Sequence, residues 1–187
     1  MTNFDFLLSE PRFSSFAEIA VSSEKLLHID HAAAAISCRR ALEFALKWMY
    51  SVDEEIDDGE DTRLVGMIEN DTLRAIVDMG VWGKMTRIRD CGNDAAHDTD
   101  KITMEEAEQC VEDLFYVMDY IAYCYAENYD HPTFDKSLLE LTTEEALSFV
   151  TQETIDVEKL AKENRTLRKK LTERRRKNCR SYCGCEN

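Results

Sequence analysis

Residues 31–50 read HAAAAISCRRALEFALKWMY, and the spacing of their apolar side chains predicts one long amphipathic helix. The apolar residues recur three or four positions apart and share one stripe of that helix: Ala34, Cys38, Ala41, Leu42, Ala45, Trp48 and Met49. Asp30 stands immediately before the stretch and is a typical N-cap. The short side chains of Ala32–Ala35 permit close approach of a neighbouring helix. The stretch therefore predicts a helical core.

Helical spacing continues on both sides of this stretch. Helices are predicted over about 14–28, about 62–69, from near Asp71, and from Thr103 to about Asn128. Thr103 and Glu106 fit a capping box at the start of the last of these helices. Gly80 and Gly83 indicate a break in the helical pattern before residue 88. The chain has 6 Gly and 2 Pro, and no alternating pattern typical of strands. We therefore predict an all-α fold, an antiparallel helical bundle over residues 1–131.

The C-terminal part has a different character. After a connecting loop at 132–141, Thr142 and Glu145 form a second capping box, and the helical pattern then continues to about Lys177. One heptad series lies within it: Val157, Leu160, Asn164, Leu167 and Leu171. We predict that residues 142–187 form a long C-terminal helix with a basic, cysteine-containing tail. It either pairs with a second copy as a short coiled coil, giving a homodimer, or packs on its own body.

Charge divides the chain in the same place. Residues 1–150 hold 12 basic against 32 acidic residues, a net charge of −20, whereas residues 151–187 hold 11 against 6, a net charge of +5. An acidic body repels nucleic acid over most of its surface, while a basic tail can approach phosphates. The candidates for that contact are Arg174, Arg175, Arg176 and Lys177, which equally fit a solvated helix end.

Cysteine usage and hydropathy indicate the compartment. No apolar run approaches the roughly 20 residues of a membrane span, and the first residues lack the pattern of a signal peptide, so we expect a cytoplasmic protein with no membrane contact. Cys38, Cys91, Cys110 and Cys124 fall inside helical patterns, where they act as small apolar residues. Cys179, Cys183 and Cys185 are one ligand short of a structural zinc site, so we expect neither a metal nor a cofactor.

Residues 88–97, IRDCGNDAAH, form a polar motif within the helical pattern. One interpretation is structural: Gly92 admits a neighbouring helix, Asn93 and His97 bond to backbone carbonyls, and Arg89 pairs with Glu43, Asp90 or Asp94. The other is chemical. Arg89 would grip an anionic group and His97 would act as acid or base, provided that Gly92 and Asn93 bend the helix to bring them together. The pattern favours the structural interpretation.

Three blocks of sequence carry a resemblance to a known family. They are FLLSEPRFSSFAEIAVSSEKLL at 6–27, AAISCRRALEFALKWMY at 34–50, and IRDCGNDAAH at 88–97 followed by the helix from Thr103. In this order they resemble the helical domain of unknown function at the N terminus of type I restriction endonuclease R subunits and related helicases. The segment DVEKLAKENRTLRKKL resembles the stretch that leads into the helicase part of such proteins.

The resemblance implies a function for the chain. The family is grouped with the HEPN superfamily of helical bundles, whose active ribonucleases carry an arginine, a polar residue, and a histidine four to six residues beyond the arginine. Here seven residues separate Arg89 from His97. The chain also lacks the phosphate-binding loop of a helicase motor. We therefore expect a non-catalytic interaction module that binds a restriction or helicase subunit or another protein of a defence system. The alternatives are a metal-independent ribonuclease using Arg89 and His97, and a DNA-contacting dimer that uses the basic C-terminal helix.

Overall fold

A computed structural model describes residues 1–57, 59, 61–97, 102–127 and 129–140 of the chain. The elements are α1 (Asp5–Leu8), a 3-10 turn (Pro11–Phe13), α2 (Ser14–Leu26), α3 (His31–Val52), α4 (Leu64–Glu69), α5 (Asp71–Ile76), α6 (Met79–His97), α7 (Met104–Tyr125) and a second 3-10 turn (Lys136–Leu139). No strand occurs among these residues. The predicted all-α fold is confirmed.

The helix ends follow local capping chemistry. Asp30 Oδ1 accepts the Ala33 N–H at 3.0 Å, so α3 begins where its sequence predicts. Thr103 and Glu106 form the predicted capping box at the start of α7, with Glu106 N donating to Thr103 Oγ1 at 3.2 Å. Asn70 Oδ1 accepts the Thr72 N–H at 2.9 Å and begins α5. Each cap satisfies backbone donors that a helix start leaves without a partner.

The start of α6 corrects the sequence-based prediction. Gly80 and Gly83 do not interrupt the chain but lie within the first turns of this helix. The reason is a cap that the glycines obscured: Asp78 Oδ1 accepts the backbone N–H groups of Gly80 at 2.6 Å and Val81 at 3.1 Å. A carboxylate on those donors offsets the poor helix propensity of glycine.

Helix α3 is the central element of the bundle. It packs on α2, α6 and α7, and its buried side chains are Ala34, Ala35, Cys38, Ala41, Leu42, Ala45, Leu46 and Met49. Ser37 Oγ donates to the Ile19 carbonyl of α2 at 3.3 Å. At its far end, the Trp48 ring packs edge-on against Tyr125 of α7 with centroids 5.3 Å apart. The alanine-rich first half therefore leaves room for neighbours, and the second half fills space with large side chains.

The segment expected as a connecting loop contributes to the core. Leu139 in the second 3-10 turn is buried, and Asn3 exchanges two hydrogen bonds with the Asp135 backbone, at 2.8 and 3.2 Å. The compact unit ends at Glu140. The predicted C-terminal helix, the Thr142–Glu145 capping box, the heptad series, Arg174–Lys177 and the three tail cysteines lie outside the described residues. No described helix is both long and apolar enough to cross a membrane.

Candidate functional site

The second half of α6, residues 87–97, packs on α3 along one side and on α7 along the other. The α3 side is organised by Gly92, which is buried. A Cβ built at Gly92 would lie 2.5 Å from Arg39 Cβ and 3.1 Å from the Ala35 carbonyl oxygen. Only glycine permits this approach, so the predicted role of Gly92 in helix packing is confirmed. Its partner is the first half of α3, at Ala35 and Arg39, which the sequence did not identify.

The structure does not bring Arg89 and His97 together. Helix α6 continues without interruption through Gly92 and Asn93 to His97, so the bend that the chemical interpretation requires is absent. Eight residues along a continuous helix separate the two by about 12 Å along its axis. His97 is exposed at the last turn, whereas only 19% of the Arg89 side chain is exposed. The two residues therefore do not share one binding point in this conformation.

Arg89 pairs with its neighbour on the same helix. Its Nη2 and Nε donate to Asp90 Oδ1 at 2.5 and 2.9 Å. Glu43, a predicted alternative partner, instead bonds to Lys47 one turn along α3 at 2.7 Å. Of the three carboxylates that the sequence proposed for Arg89, the structure selects Asp90.

Asn93 and His97 do not form the backbone hydrogen bonds that the structural interpretation expects. Asn93 is half-buried, His97 is exposed, and within the described part of the chain neither side chain bonds to a backbone carbonyl. The reason is their position on α6. One helical residue turns through about 100°, so Asn93 is rotated away from the side of α6 on which Gly92 packs against α3. The expected hydrogen bonds of these two side chains are therefore not formed.

The α7 side of α6 contains a charged network that sequence reasoning missed. Asp113 is 1% exposed and accepts two bonds from Arg87, from Nε and Nη2, both at 2.8 Å. Lys84 Nζ lies 3.3 Å and Gln109 Nε2 3.4 Å from Asp113 Oδ1. The carboxylate raises the pKa of Arg87 above its ordinary value through these hydrogen bonds. The sequence signal was a basic pair three residues apart on α6, but nothing local identified Asp113 as its partner.

A cavity of about 280 Å³ opens next to this network, between α6 and α7. Its lining is mostly charged or sulfur-bearing: Arg87, Asp90, Cys91, Asp94, Ile102, Glu106, Gln109, Cys110 and Asp113. Because Arg87 is engaged by Asp113, the carboxylates of Asp94 and Glu106 give the cavity a negative character. Within the described residues, no group of three or more potential ligands has the geometry to hold a metal ion.

Three thiols meet at the inner end of this region. Cys91 of α6 and Cys110 of α7 line the same cavity, and Cys110 and Cys38 of α3 are both buried. The neighbouring Cys110 lowers the pKa of Cys91 below its ordinary value, against the opposing effect of burial. The neighbouring thiols of Cys38 and Cys91, together with burial, raise the pKa of Cys110 well above its ordinary value. The helical patterns contained all three cysteines but did not indicate that they meet.

The outer face of α3 presents a stripe that combines apolar and basic side chains. Ile36, Arg40, Phe44 and Lys47, here called the α3 stripe, lie three or four residues apart. Ile36 and Phe44 are exposed, and the Phe44 ring lies 5.7 Å from the Arg40 guanidinium carbon and 5.9 Å from Lys47 Nζ. Glu43, three or four residues from Arg39 and Arg40, forms its ion pair with Lys47 and not with either arginine. Instead, Arg39 packs over Gly92 and Arg40 lies on Phe44.

Comparison with protein-family models identifies a family that covers most of the chain. A model described as domain of unknown function, DUF4145, matches residues 22–170. The matched region begins in α2 and includes α3 to α7, and therefore both sides of α6. No curated protein and no solved structure matches the chain.

Proposed function

The chain belongs to the DUF4145 family of domains of unknown function, and we propose that it is a non-catalytic helical module that binds a protein partner in a restriction or other defence system. The observation that carries the proposal is the α3 stripe. Two large apolar side chains, Ile36 and Phe44, are exposed on the outer face of the central helix and alternate with the cations Arg40 and Lys47. An apolar centre with charged neighbours is the composition of a protein-binding surface.

Charge indicates the kind of partner. The described body is strongly acidic, but the α3 stripe carries two cations. Arg40 has no carboxylate partner among the described residues, and Lys47 forms an ion pair with Glu43. A partner with apolar and acidic side chains complements this stripe and is repelled less there than elsewhere on the body. The link to restriction enzymes rests on the resemblance of residues 6–27, 34–50 and 88–97 to the N-terminal domain of R subunits.

The geometry of the polar motif supports a role without catalysis. Gly92 serves helix packing, Arg89 is bonded to Asp90, and His97 lies about 12 Å along the axis from Arg89. General acid–base chemistry requires the reacting groups within hydrogen-bond reach of one substrate. A ribonuclease that used this pair would need a rearrangement of α6.

The test is affinity capture of the full-length chain from its native cell, followed by mass spectrometry. Wild type is compared with Ile36→Ser plus Phe44→Ser, and with Val65→Ser as a control of similar exposure on α4. We expect wild type and Val65→Ser to retain a helicase, methylase or specificity subunit, and the stripe variant to lose it. Equal capture by all three proteins would contradict the proposal.

An RNA cleavage assay separates the ribonuclease alternative. Wild type, Arg89→Ala and His97→Ala are incubated with a mixed RNA pool without metal, and each protein is melted in parallel. We expect no cleavage by any of them and nearly unchanged stability for His97→Ala, because the exposed imidazole has no partner among the described residues. Cleavage by wild type that disappears in both variants would establish the enzyme instead.

A further inference from the structure

Cys91 and Cys110 are a pair of neighbouring thiols that the proposed function does not use. Both line the cavity between the packed helices α6 and α7, one from each helix. Cys91 is half-buried, whereas Cys110 is buried. A solute in the cavity therefore meets a partly accessible thiol with a second thiol from another helix beside it.

We propose that Cys91 and Cys110 form an oxidisable dithiol, a modification site at which a small hydroperoxide generates a disulfide between α6 and α7. In the first step the Cys91 sulfur attacks one peroxide oxygen. An S–O bond forms, the O–O bond breaks, and hydrogen peroxide leaves one oxygen as water. Cys91 becomes a sulfenic acid, oxidised by two electrons, and the peroxide is reduced.

In the second step Cys110 resolves the sulfenic acid. Its sulfur attacks the Cys91 sulfur, the S–S bond forms, and the S–O bond breaks. The hydroxyl group leaves with the Cys110 proton as a second water. The complete reaction consumes two thiols and one hydrogen peroxide and yields one disulfide and two waters. Cys110 suits this role because it is buried beside Cys91 and is shielded from direct attack.

The charged side chains around the two thiols determine which class of oxidant enters the cavity. Asp94 and Glu106 line the same cavity, and Arg87 is engaged by Asp113, so its charge does not compensate them. An uncharged peroxide enters such a cavity without repulsion, whereas an anionic oxidant is disfavoured. The neighbouring Cys110 lowers the pKa of Cys91, while burial and the carboxylates of Glu106, Asp94 and Asp113 act in the opposite direction.

The test uses the wild-type full-length chain treated with hydrogen peroxide and then with N-ethylmaleimide under denaturing conditions. Trypsin places Cys91 in peptide 90–101, Cys110 with Cys124 in 102–136, and Cys38 in 26–39. We expect peptides 90–101 and 102–136 to be joined without reduction, with fragmentation locating the bond at Cys110. Cys124, exposed on the same helix, is the internal control and stays free.

Single substitutions identify the order of steps. Cys110→Ser should stop at a Cys91 sulfenic acid that dimedone traps, Cys91→Ser should leave Cys110 as a free thiol, and Cys124→Ser should not change the disulfide. Thermal unfolding checks each variant, and Cys91→Ala replaces Cys91→Ser if the hydroxyl disturbs folding. Labelling of both Cys91 and Cys110 by maleimide after peroxide, or a disulfide between Cys110 and Cys38, would overturn the proposal.

Discussion

At Gly92 the backbone of α6 approaches α3 so closely that a single methyl group would collide with Arg39. The collision would be with Cβ of Arg39 at 2.5 Å, an atom that cannot swing aside as the end of a flexible side chain can. Gly83 is two and a half turns earlier in the same helix, and a Cβ there would meet Arg87 Nη1 only at 3.8 Å. Both glycines therefore lie in helical backbone, but only Gly92 is packed too closely against a neighbouring helix to admit a Cβ.

This difference predicts opposite effects of one substitution. Gly92→Ala should destabilise the protein by about 1–3 kcal/mol, because overpacking outweighs the gain of about 1 kcal/mol in helix propensity. Gly83→Ala should stabilise it by about 0.5–1 kcal/mol, since only the propensity term acts there. Urea unfolding at one temperature measures both. Equal and stabilising effects would mean that α3 and α6 are farther apart than described.

At the scale of elements, local patterns predicted most of the helices. Residues 31–50 carry both a clear stripe and a cap, so α3 was predicted almost to its ends, and the capping box placed the start of α7. The start of α6 was missed because glycines at 80 and 83 suggest a break, while the Asp78 cap that overrides them is a single side chain. The short α1 carries too few residues for a periodic signal.

The candidate site was only partly predictable for a different reason. Gly92 and the alanine run each indicate close approach of a neighbouring helix, but the structure is needed to show that they pack on each other. The Arg87–Asp113 pair and the thiols of Cys91 and Cys110 depend on how α6 and α7 face each other. No local pattern contains that information, because it is set by packing of the whole bundle.

The Arg87–Asp113 pair predicts a large stability effect between α6 and α7. Arg87→Met removes both short bonds and leaves a carboxylate that is 1% exposed with only Lys84 and Gln109 as partners. We expect a loss of about 2 kcal/mol, below the range for a fully buried pair, because 56% of the Arg87 side chain is exposed and Lys84 still neutralises the charge of Asp113. Denaturant unfolding measures it.

Arg63→Met is the matched control for that experiment. Arg63 forms an equally short ion pair, 2.7 Å to Asp61, but its side chain is 79% exposed. Exposed pairs contribute at most about 1 kcal/mol because water screens them. Similar losses in the two variants would show that burial of Asp113 does not determine the strength of the α6–α7 contact.

At the scale of the whole molecule, the first and last segments of residues 1–140 contact each other. Asn3 is buried, its side chain bonds to the backbone of Asp135, and its N–H donates to Glu24 Oε2 at 3.0 Å. Near the same end, His28 Nε2 bonds to the Leu139 carbonyl. The segment after residue 131 thus secures the N terminus and α2, and we infer that the folding unit needs residues up to 140.

Two truncated proteins test this inference. A chain of residues 1–140 should remain helical and unfold cooperatively, because it keeps every described core residue. A chain of residues 1–131 should be less stable than the chain of residues 1–140 by at least about 2 kcal/mol. It lacks the buried side chain of Leu139, and Asn3 loses its Asp135 partner. Circular dichroism with urea unfolding compares them. Equal stability of the two would place the boundary of the folding unit before residue 132, and the contacts of Leu139 and Asp135 would then be incidental to the fold.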